Sequence, residues 1–315
     1  MPISPDDKPV IVIAGPTASG KSALAVDVAE RFSGVVINAD SMQVYRGMDV
    51  ATAKTSVSER RGVPHHMLDV VDPDQDFNAA IYRAMAAPLV TEIVAKAKVC
   101  LVVGGTGLYI KALLGGLFEC PTGDVTLRQR LRQRCEQYGS ASLHNELQEL
   151  DPAYAVRVHP NDRVRIIRAL EVIHQTQKPM SRLIQKHRFS DRPFHSLMIG
   201  LQRDRKELYQ RINERCLAMI AGGLMTETEG LLKRGYSADL KPMQAIGYRH
   251  MVSVLEGSLT LGEAIRRLQI ETRHYAKRQQ TWFRAEQEMN WFRPEDQDRI
   301  VHKIKEFLPA TARTH

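Results

Sequence analysis

The segment with the clearest chemical signature is a glycine-rich motif near the amino terminus. It reads GPTASGKS, matches the GxxxxGK[ST] pattern, follows a β-branched run and opens a segment with helical periodicity. Backbone N–H groups of such a loop, with the positive end of the next helix, surround an anionic oligophosphate. Lys21 would add a positive charge, and the Ser22 hydroxyl could bind Mg²⁺. The motif predicts an oligophosphate site, rather than a turn that binds nothing, at Gly15, Pro16, Thr17, Ala18, Ser19, Gly20, Lys21 and Ser22.

A second candidate group is Asp40, which follows a short apolar run in the segment VVINADS. An ordinary nucleoside triphosphatase would place a Walker B Asp after a hydrophobic strand, but the run VCLVV leads into Gly104, Gly105 and Thr106. Ligands of an open parallel sheet bind beyond the carboxyl ends of its strands, so we expect the glycine-rich motif, Asp40 and Thr106 to converge. Asp40 could act there as a metal ligand, a general base or a helix cap.

Strands that alternate with helices would position these groups. Apolar runs at 9–14, 35–37 and 99–103 predict strands, and helical periodicity at 21–32 and 78–98 predicts helices, the second with Asn78 as its N-cap. This alternation is typical of a parallel sheet. We therefore predict an α/β fold with a P-loop-containing parallel β-sheet core flanked by helices.

The pattern changes from Asp124, where charged helical segments without strand signals begin and continue to the strand LMIGL at 197–201. We interpret this stretch as an inserted all-helical domain, with Asn161-Asp162 as a helix N-cap. Later helices are predicted at 205–221, 224–234 and 261–286. The predicted domains are the P-loop core, first part, at 1–120, the helical insertion at 121–195, and the core, second part, with carboxyl-terminal helices at 196–315.

Composition bounds the class of protein and its partners. The 315 residues include 44 Lys+Arg and 36 Asp+Glu, a formal charge of +8, with a pI of about 9.3. A hydrophobic share of 43% excludes disorder for most of the chain, and the excess positive charge fits nucleic acid or a phosphorylated metabolite. The longest apolar stretch, 98–111, is too short to span a bilayer, and no signal peptide is recognisable. We expect a cytoplasmic protein without a membrane partner.

Neither the cysteines nor the paired histidines predict a metal site. The cysteines form no CxxC pair and have no histidine at ligand spacing. His65 and His66 are adjacent on an extended segment, so their side chains point to opposite faces. One imidazole could orient a loop near the reacting groups, or the pair could be structural. The cysteines are Cys100, Cys120, Cys135 and Cys216.

The predicted helix at 261–286 combines a basic stripe with an apolar stripe on its opposite side. Glu271 is the only acid between Arg266 and Arg284, so the basic stripe is either a solvated face or a contact with phosphates. We assign Tyr275 and Trp282 to the core, whereas Phe283 could stack on a base. The cations are Arg266, Arg273, Lys277 and Arg284, and the apolar residues are Leu261, Ile265, Leu268, Tyr275 and Trp282.

Several segments, in order along the chain from Val10 to about Trp291, resemble the tRNA dimethylallyltransferase family. The resemblance implies transfer of a dimethylallyl group from dimethylallyl diphosphate to the N6 amine of adenosine 37 in tRNA, beside the anticodon. The glycine-rich motif would then hold a diphosphate leaving group, without ATP consumption. The segments are GPTASGKS, INADSMQVYRGMDVATAK, HHMLD, VGGTGLYIKALL, HPNDRVRIIRALEV, QAIGYRH and AKRQQTWFR.

The resemblance also implies roles for individual residues. Asp40 would accept a proton from the weakly nucleophilic adenine amine as the N–C bond forms. Lys21, Arg215 and Mg²⁺ bound through Ser22 would stabilise the departing diphosphate. Thr17 would lie near the site of bond making, and Thr106 would help to place the diphosphate or the adenine. A missing Walker B Asp is then expected.

The adenine must leave the stack of the anticodon loop to reach such a site. The resemblance assigns tRNA contacts to Asp40, Ser41, Met42, Gln43, Thr106, Val164, Arg165, Ile166, Ile167, Arg168, Gln244, Ala245, Ile246, Gly247, Tyr248, Arg249, Lys277, Arg278, Gln279, Gln280, Thr281, Trp282, Phe283 and Arg284. Relatives commonly have a Gln-Arg pair where this chain has Val164-Arg165, which puts one Gln contact in doubt. Arg163, Arg165 and Arg168 could line RNA or form the polar face of a helix.

Two other functions remain open from the residues. A P-loop small-molecule or nucleotide kinase would share the strand, loop and parallel sheet, would use the helical insertion as a lid and would not need tRNA. A non-catalytic RNA-binding module would explain the positive charge but leave the glycine-rich motif without a role. We expect a monomer. The tRNA substrates and the order of substrate binding do not follow from the sequence.

Overall fold

The computed structural model describes residues 8–118, 123–187 and 189–308. The chain divides into two compact units, one formed by Met1–Leu114 together with Arg192–His315 and the other by Gly115–Asp191. Cys120 lies outside the described residues.

The first unit contains a six-stranded sheet with the strand order β3-β2-β4-β1-β5-β6, and every neighbouring pair is parallel. All residues of β4, and all of β1 after Pro9, are buried, as is usual for central strands of a parallel sheet. The α/β class and the parallel sheet are thereby confirmed. The strands are β1 Pro9–Ala14, β2 Val35–Asn38, β3 His65–His66, β4 Cys100–Gly104, β5 His195–Leu201 and β6 Met289–Phe292.

Helices account for most of the remaining secondary structure in the part of the chain that is described. They are α1 Lys21–Arg31, α2 Ala79–Ala95, α3 Gly107–Gly115, α4 Val125–Leu150, α5 Pro152–Ala155, α6 Arg163–Thr176, α7 Met180–His187, α8 Arg205–Ala221, α9 Leu224–Lys233, α10 Tyr248–Leu255, α11 Leu261–Arg284 and α12 Gln297–Phe307.

Helices cover both faces of the sheet, because successive β1 side chains point in opposite directions. Ile11 and Ile13 pack with residues of α1 and α12, whereas Val10 and Val12 join a larger core with residues of α2, α8, α9, α10 and α11. Both faces therefore bury apolar surface, which is the main stabilising contribution to the unit.

Most elements agree with the sequence predictions to within a few residues. Asn78 caps α2, since its side-chain oxygen accepts the N–H groups of Ala80 and Ile81. The sequence patterns predict no secondary structure for β6, α3, α10 or α12. Strand β6 has only four residues, too few for a recognisable period, and α3 begins inside a glycine-rich segment.

The second unit is helical throughout its described residues, Gly115–Asp191 without 119–122 and 188. Its core is formed by apolar residues of α4, α5 and α6, including Ile166 and Ile167, which are 0% and 8% exposed. The assignment of these two side chains to tRNA contact is therefore wrong, because the unit needs them as its core. Asp162 caps α6 as predicted, accepting the N–H of Arg165 at 3.1 Å.

Glu171 gives the second unit a buried charge. Its carboxylate is 0% exposed and pairs with Arg128 at 2.9 Å and Arg168 at 2.7 Å. A buried carboxylate needs such partners, so this ion pair anchors the Arg168 guanidinium. Of the predicted contact segment in α6, Val164 and Arg165 are exposed to solvent.

In the described part of the chain, none of the helices combines the length and the apolar character needed to cross a lipid bilayer.

Candidate active site

The glycine-rich loop, residues 15–22, connects the end of β1 to the start of α1. Gly15 has φ +148°, and a Cβ there would lie 2.7 Å from the carbonyl oxygen of Leu201. Gly20 has φ +102° and is the residue that precedes α1. Glycine is required at both positions, because L side chains rarely adopt these φ values. The loop turns sharply enough to direct the amino end of α1 toward the carboxyl edge of the sheet.

Lys21 is the cation of the glycine-rich loop, and its side chain is half-buried. Its Nζ donates a hydrogen bond to the carbonyl oxygen of Pro16 at 2.7 Å. Burial, with the nearby charge of Arg215, lowers the pKa of Lys21 to about 7, while Asp40 opposes the shift. Desolvation disfavours the ammonium form, so an anion bound in the loop would stabilise that form.

Asp40 begins a tight turn just after β2. Its Oδ1 accepts the backbone N–H of Met42 at 2.8 Å, and Asn38, 6% exposed, donates to the carbonyl oxygen of Asp40 at 3.3 Å. The Thr106 hydroxyl accepts the N–H of Ser41 at 3.0 Å. Asp40 is thus held by its own turn and by the loop after β4, in the orientation expected from two neighbouring parallel strands.

Gly104 allows this approach of the two loops. A Cβ at Gly104 would lie 2.2 Å from the carbonyl oxygen of Ala39, so no larger residue fits. The N–H of Thr106 also donates to that carbonyl at 3.1 Å. Gly104, the last residue of β4, is therefore required for close contact with the Asp40 turn. A Walker B protein would instead have an Asp after this strand.

Arg215 reaches the same region from α8. Burial lowers its pKa, whereas Asp40 raises it. Its Nε atom is buried and has no hydrogen-bond partner among the described residues. A buried, unsatisfied guanidinium nitrogen is costly in a folded protein, and an anionic ligand would satisfy it.

These groups surround a cavity of about 350 Å³. A second cavity of about 710 Å³ shares Lys21, Ser22, Thr55 and Arg215 with the first. The first has cations and hydroxyls at the glycine-rich loop and a mixture of polar and apolar side chains elsewhere, so it can hold an anionic group beside an apolar one. Its lining includes Thr17, Lys21, Ser22, Asp40, Ser41, Met42, Gln43, His65, Arg215, Ala245, Ile246, Tyr248, Arg249 and Gln279.

The predicted contact residues of α11 divide between its exposed and buried faces. Of the predicted basic stripe, Lys277 and Arg284 are exposed and Arg273 is half-buried, and Arg278 beside the stripe is also exposed. Two assignments were wrong: Trp282 is 36% exposed and is not a core residue, whereas Phe283 is 1% exposed and cannot stack on a base. The reason is that the helix is rotated slightly from the orientation that the apolar pattern indicated, and Phe283 faces the sheet.

The segment QAIGYR is held from two sides. Tyr248 is 0% exposed, and its hydroxyl donates to Glu227 at 2.6 Å. The residue lines the first cavity and does not lie on the outer surface, so the predicted contact with tRNA would have to be made inside the cavity. Arg249 pairs with Glu271 on α11. Backbone N–H groups of Asp49, Val50 and Ala51 also donate to Glu227. Glu227 lies outside the motifs from which the site residues are predicted.

His65 lies on the wall of the first cavity and is half-buried. Its Nδ1–H donates to the carbonyl oxygen of Val63 at 2.9 Å, and burial lowers its pKa. Burial thus favours the neutral imidazole, in which Nε2 is the acceptor nitrogen because Nδ1 carries the hydrogen. In the described part of the chain, no group of three or more His, Cys, Asp or Glu residues could hold a metal ion.

The family of this chain follows from comparison with known sequences. A model of the family described as IPP transferase matches residues 43–286. The chain belongs to the IPP transferase family. A tRNA dimethylallyltransferase of Geobacter sulfurreducens is 53% identical over 87% of this chain and 88% of its own. The tRNA dimethylallyltransferase 2 of Geotalea uraniireducens is 49% identical over 95% of this chain and 97% of its own.

Solved structures of IPP transferases share the fold. The full-length tRNA isopentenylpyrophosphate transferase of Bacillus halodurans aligns with a TM-score of 0.70 and 40% identity, over 95% of this chain and 98% of its own. A eukaryotic dimethylallyltransferase, captured acting on tRNA, aligns with a TM-score of 0.75 and 31% identity. The alignment covers 87% of this chain and 69% of that protein's chain. The family resemblance noted in the sequence is confirmed.

Proposed function

We propose that this chain is a tRNA dimethylallyltransferase, which transfers a dimethylallyl group from dimethylallyl diphosphate to the N6 amine of adenosine 37 in tRNA. The observation that carries the proposal is the convergence of Lys21, Arg215 and Asp40 on one cavity. Two half-buried cations suit a diphosphate, and a carboxylate beside them suits a nucleophile that must lose a proton. The close relatives bear the name of the same activity.

The residues divide the reaction between them. The N6 amine attacks C1 of the dimethylallyl group, forming the N–C bond as the C–O bond to diphosphate breaks. The Asp40 carboxylate accepts one amine proton, so the product nitrogen is neutral. The glycine-rich loop acts as a phosphate loop, in which backbone N–H groups, Lys21 and Arg215 stabilise the charge that grows on the leaving oxygen. Thr17 lies beside the bond that breaks, and Thr106 holds the turn of Asp40.

Ser22 would provide the protein ligand for Mg²⁺. The ion usually binds few protein oxygens and keeps water or phosphate oxygens as its other ligands, so one hydroxyl at the start of α1 fits it. Mg²⁺ would supply additional positive charge at the diphosphate.

The tRNA anticodon stem-loop would bind over exposed cations. Lys277, Arg278 and Arg284 on α11 offer contacts with phosphates, and exposed residues of the helical insertion, 121–195, offer others, including Arg165. The flipped adenine would enter this cavity, whose lining includes Met42 and Ala245. A monomer in the cytoplasm remains our prediction.

The test of the function is mass spectrometry of nucleosides from unmodified tRNA after incubation with the protein and Mg²⁺. We expect N6-(dimethylallyl)adenosine with dimethylallyl diphosphate and none with ATP alone. A parallel reaction with ATP tests the kinase alternative, which would give ADP without tRNA. Absence of prenylated adenosine from every tRNA, with ADP formed, would contradict the proposal.

Arg215→Gln is expected to lower kcat by about 10²- to 10³-fold, the usual effect of removing one donor that stabilises charge in the transition state. The reason is that glutamine keeps a polar side chain but not the buried positive charge. The measurement is steady-state kinetics with both substrates. Arg205→Gln, an exposed cation at the start of the same helix, is the control and should retain kcat. Equal losses in the two variants would contradict a specific role for Arg215.

A further inference from the structure

Gln279 lies in the segment of α11 that family resemblance assigns to tRNA contact, but its side chain is 6% exposed. Its Oε1 accepts the backbone N–H of Thr17 at 2.8 Å, and its Nε2 donates to the carbonyl oxygen of Gly105 at 2.9 Å. An N–H group can only donate and a carbonyl can only accept, so these partners fix the orientation of the amide. The side chain is thus committed to two backbone groups inside the protein.

Both partners belong to loops that carry the reacting groups. Thr17 is part of the glycine-rich loop, which binds the diphosphate in the proposed function. Gly105 precedes Thr106, whose hydroxyl holds the N–H of Ser41 at 3.0 Å, next to Asp40. One buried amide therefore joins the loop around the leaving group to the loop that holds the general base.

Glycines make this contact possible. A Cβ at Gly105 would lie 2.1 Å from Nε2 of Gln279, and a Cβ at Gly107 would lie 2.0 Å from Nε1 of Trp282, one turn further along α11. The helix therefore fits against the loop after β4 at two points. The glycines of the GGTG segment leave room for the residues of the QQTW segment.

We propose that Gln279 is a positioning residue that fixes the separation between the glycine-rich loop and Asp40, and that it makes no contact with the tRNA outside the cavity. This inference rests on the proposed function. Attack on C1 requires the amine, its proton acceptor and the leaving group to be aligned, and a displacement of about 1 Å can cost about 100-fold in rate. Lys277 and Arg278, two and one residues before Gln279, are exposed on the same helix, so the helix that meets the tRNA also braces the two loops.

The first test uses Gln279→Asn, whose amide is one methylene too short to reach both Thr17 and Gly105. We expect kcat to fall about 10- to 100-fold, while the Kd for tRNA, measured by filter binding, stays within about twofold. Binding of inorganic diphosphate, measured by calorimetry, should weaken about fivefold, because the glycine-rich loop loses the hydrogen bond that holds it in its binding conformation. Gln269→Asn, the same change at a partly buried site on α11, is the control and should leave all three values unchanged.

The second test uses Gln279→Glu and a pH profile. Its carboxylate keeps the acceptor for the Thr17 N–H but faces the Gly105 carbonyl with a second acceptor, so activity should be low at pH 8. Protonation restores a donor, so the kcat of the variant relative to the native protein should rise as the pH falls. A merely structural role would lower the melting temperature without this pH-dependent recovery.

The outcomes separate the possibilities. Lys277→Ala is expected to raise the KM for tRNA with little change in kcat, as for a phosphate contact. If Gln279→Asn behaves like Lys277→Ala, Gln279 contacts RNA and the inference is wrong. Unchanged kinetics and diphosphate binding in both Gln279 variants would also overturn it. If the native protein forms no prenylated adenosine, the proposed function fails, whereas the diphosphate measurement still reports on the contact with Thr17.

Discussion

Asp40→Asn is expected to lower kcat by about 10²- to 10⁴-fold, the range usual for loss of a general base. Asparagine retains a side-chain oxygen that can accept the N–H of Met42, which Asp40 accepts at 2.8 Å, so the turn should be preserved. It cannot accept the amine proton at neutral pH. The measurement is single-turnover prenyl transfer with saturating tRNA and dimethylallyl diphosphate, which separates chemistry from binding.

The control for this variant is Asp72→Asn, which removes a carboxylate from an exposed ion pair with Arg46 at 3.2 Å. It should retain kcat, because exposed ion pairs contribute little to stability and this one is not in the cavity lining. Melting temperatures of both variants should stay close to that of the native protein. Retention of kcat in Asp40→Asn would show that a different group accepts the proton.

The second large effect concerns Lys21, whose pKa is lowered by burial to about 7. In the free protein at pH 8, about nine-tenths of the side chain is neutral, whereas a bound diphosphate favours the ammonium form. When diphosphate binds at pH 8, the Lys21 side chain should therefore take up close to one proton. The affinity contributed by Lys21 should be greatest below pH 7 and should fall up to about tenfold for each pH unit above it.

Calorimetry with inorganic diphosphate in buffers of different ionisation enthalpy measures this proton uptake. Lys21→Arg is the matched variant, because its guanidinium stays charged throughout the pH range and should bind without the additional proton. The titration of diphosphate itself is common to both proteins and cancels in the difference. Equal proton uptake by the two proteins would contradict the lowered pKa. Lys21→Ala should weaken diphosphate binding by about 10- to 100-fold.

Local features of this protein are determined by the sequence alone. The glycine-rich loop, the cap of α2 by Asn78 and the cap of α6 by Asp162 each depend on residues within a few positions of one another. The convergence of Asp40 and Thr106 also follows from the sequence, because the carboxyl ends of parallel strands meet at one edge of a sheet. These predictions need only local propensity and the general geometry of an α/β fold.

Only the tertiary structure determines whether a side chain is buried or exposed when its residue type is compatible with both environments. Trp282 and Phe283 are adjacent on α11 and differ by about 100° in direction, so a modest rotation of the helix exposes one and buries the other. The family motif predicts that Ile166 and Ile167 contact tRNA, but both side chains are buried in the apolar core of the second unit.

The environment of Gln279 could not be predicted from the sequence. Its two hydrogen-bond partners lie 262 and 174 residues away in the chain, and nothing in the local pattern of α11 distinguishes it from its exposed neighbour Arg278. A glutamine is equally compatible with solvent, RNA or a buried backbone contact. Which of these it meets depends on how closely the helix approaches two glycine-containing loops, and that approach is set by packing across the whole sheet. The sequence by itself determined the chemical groups and their strands, whereas the fold decided which side chains brace them.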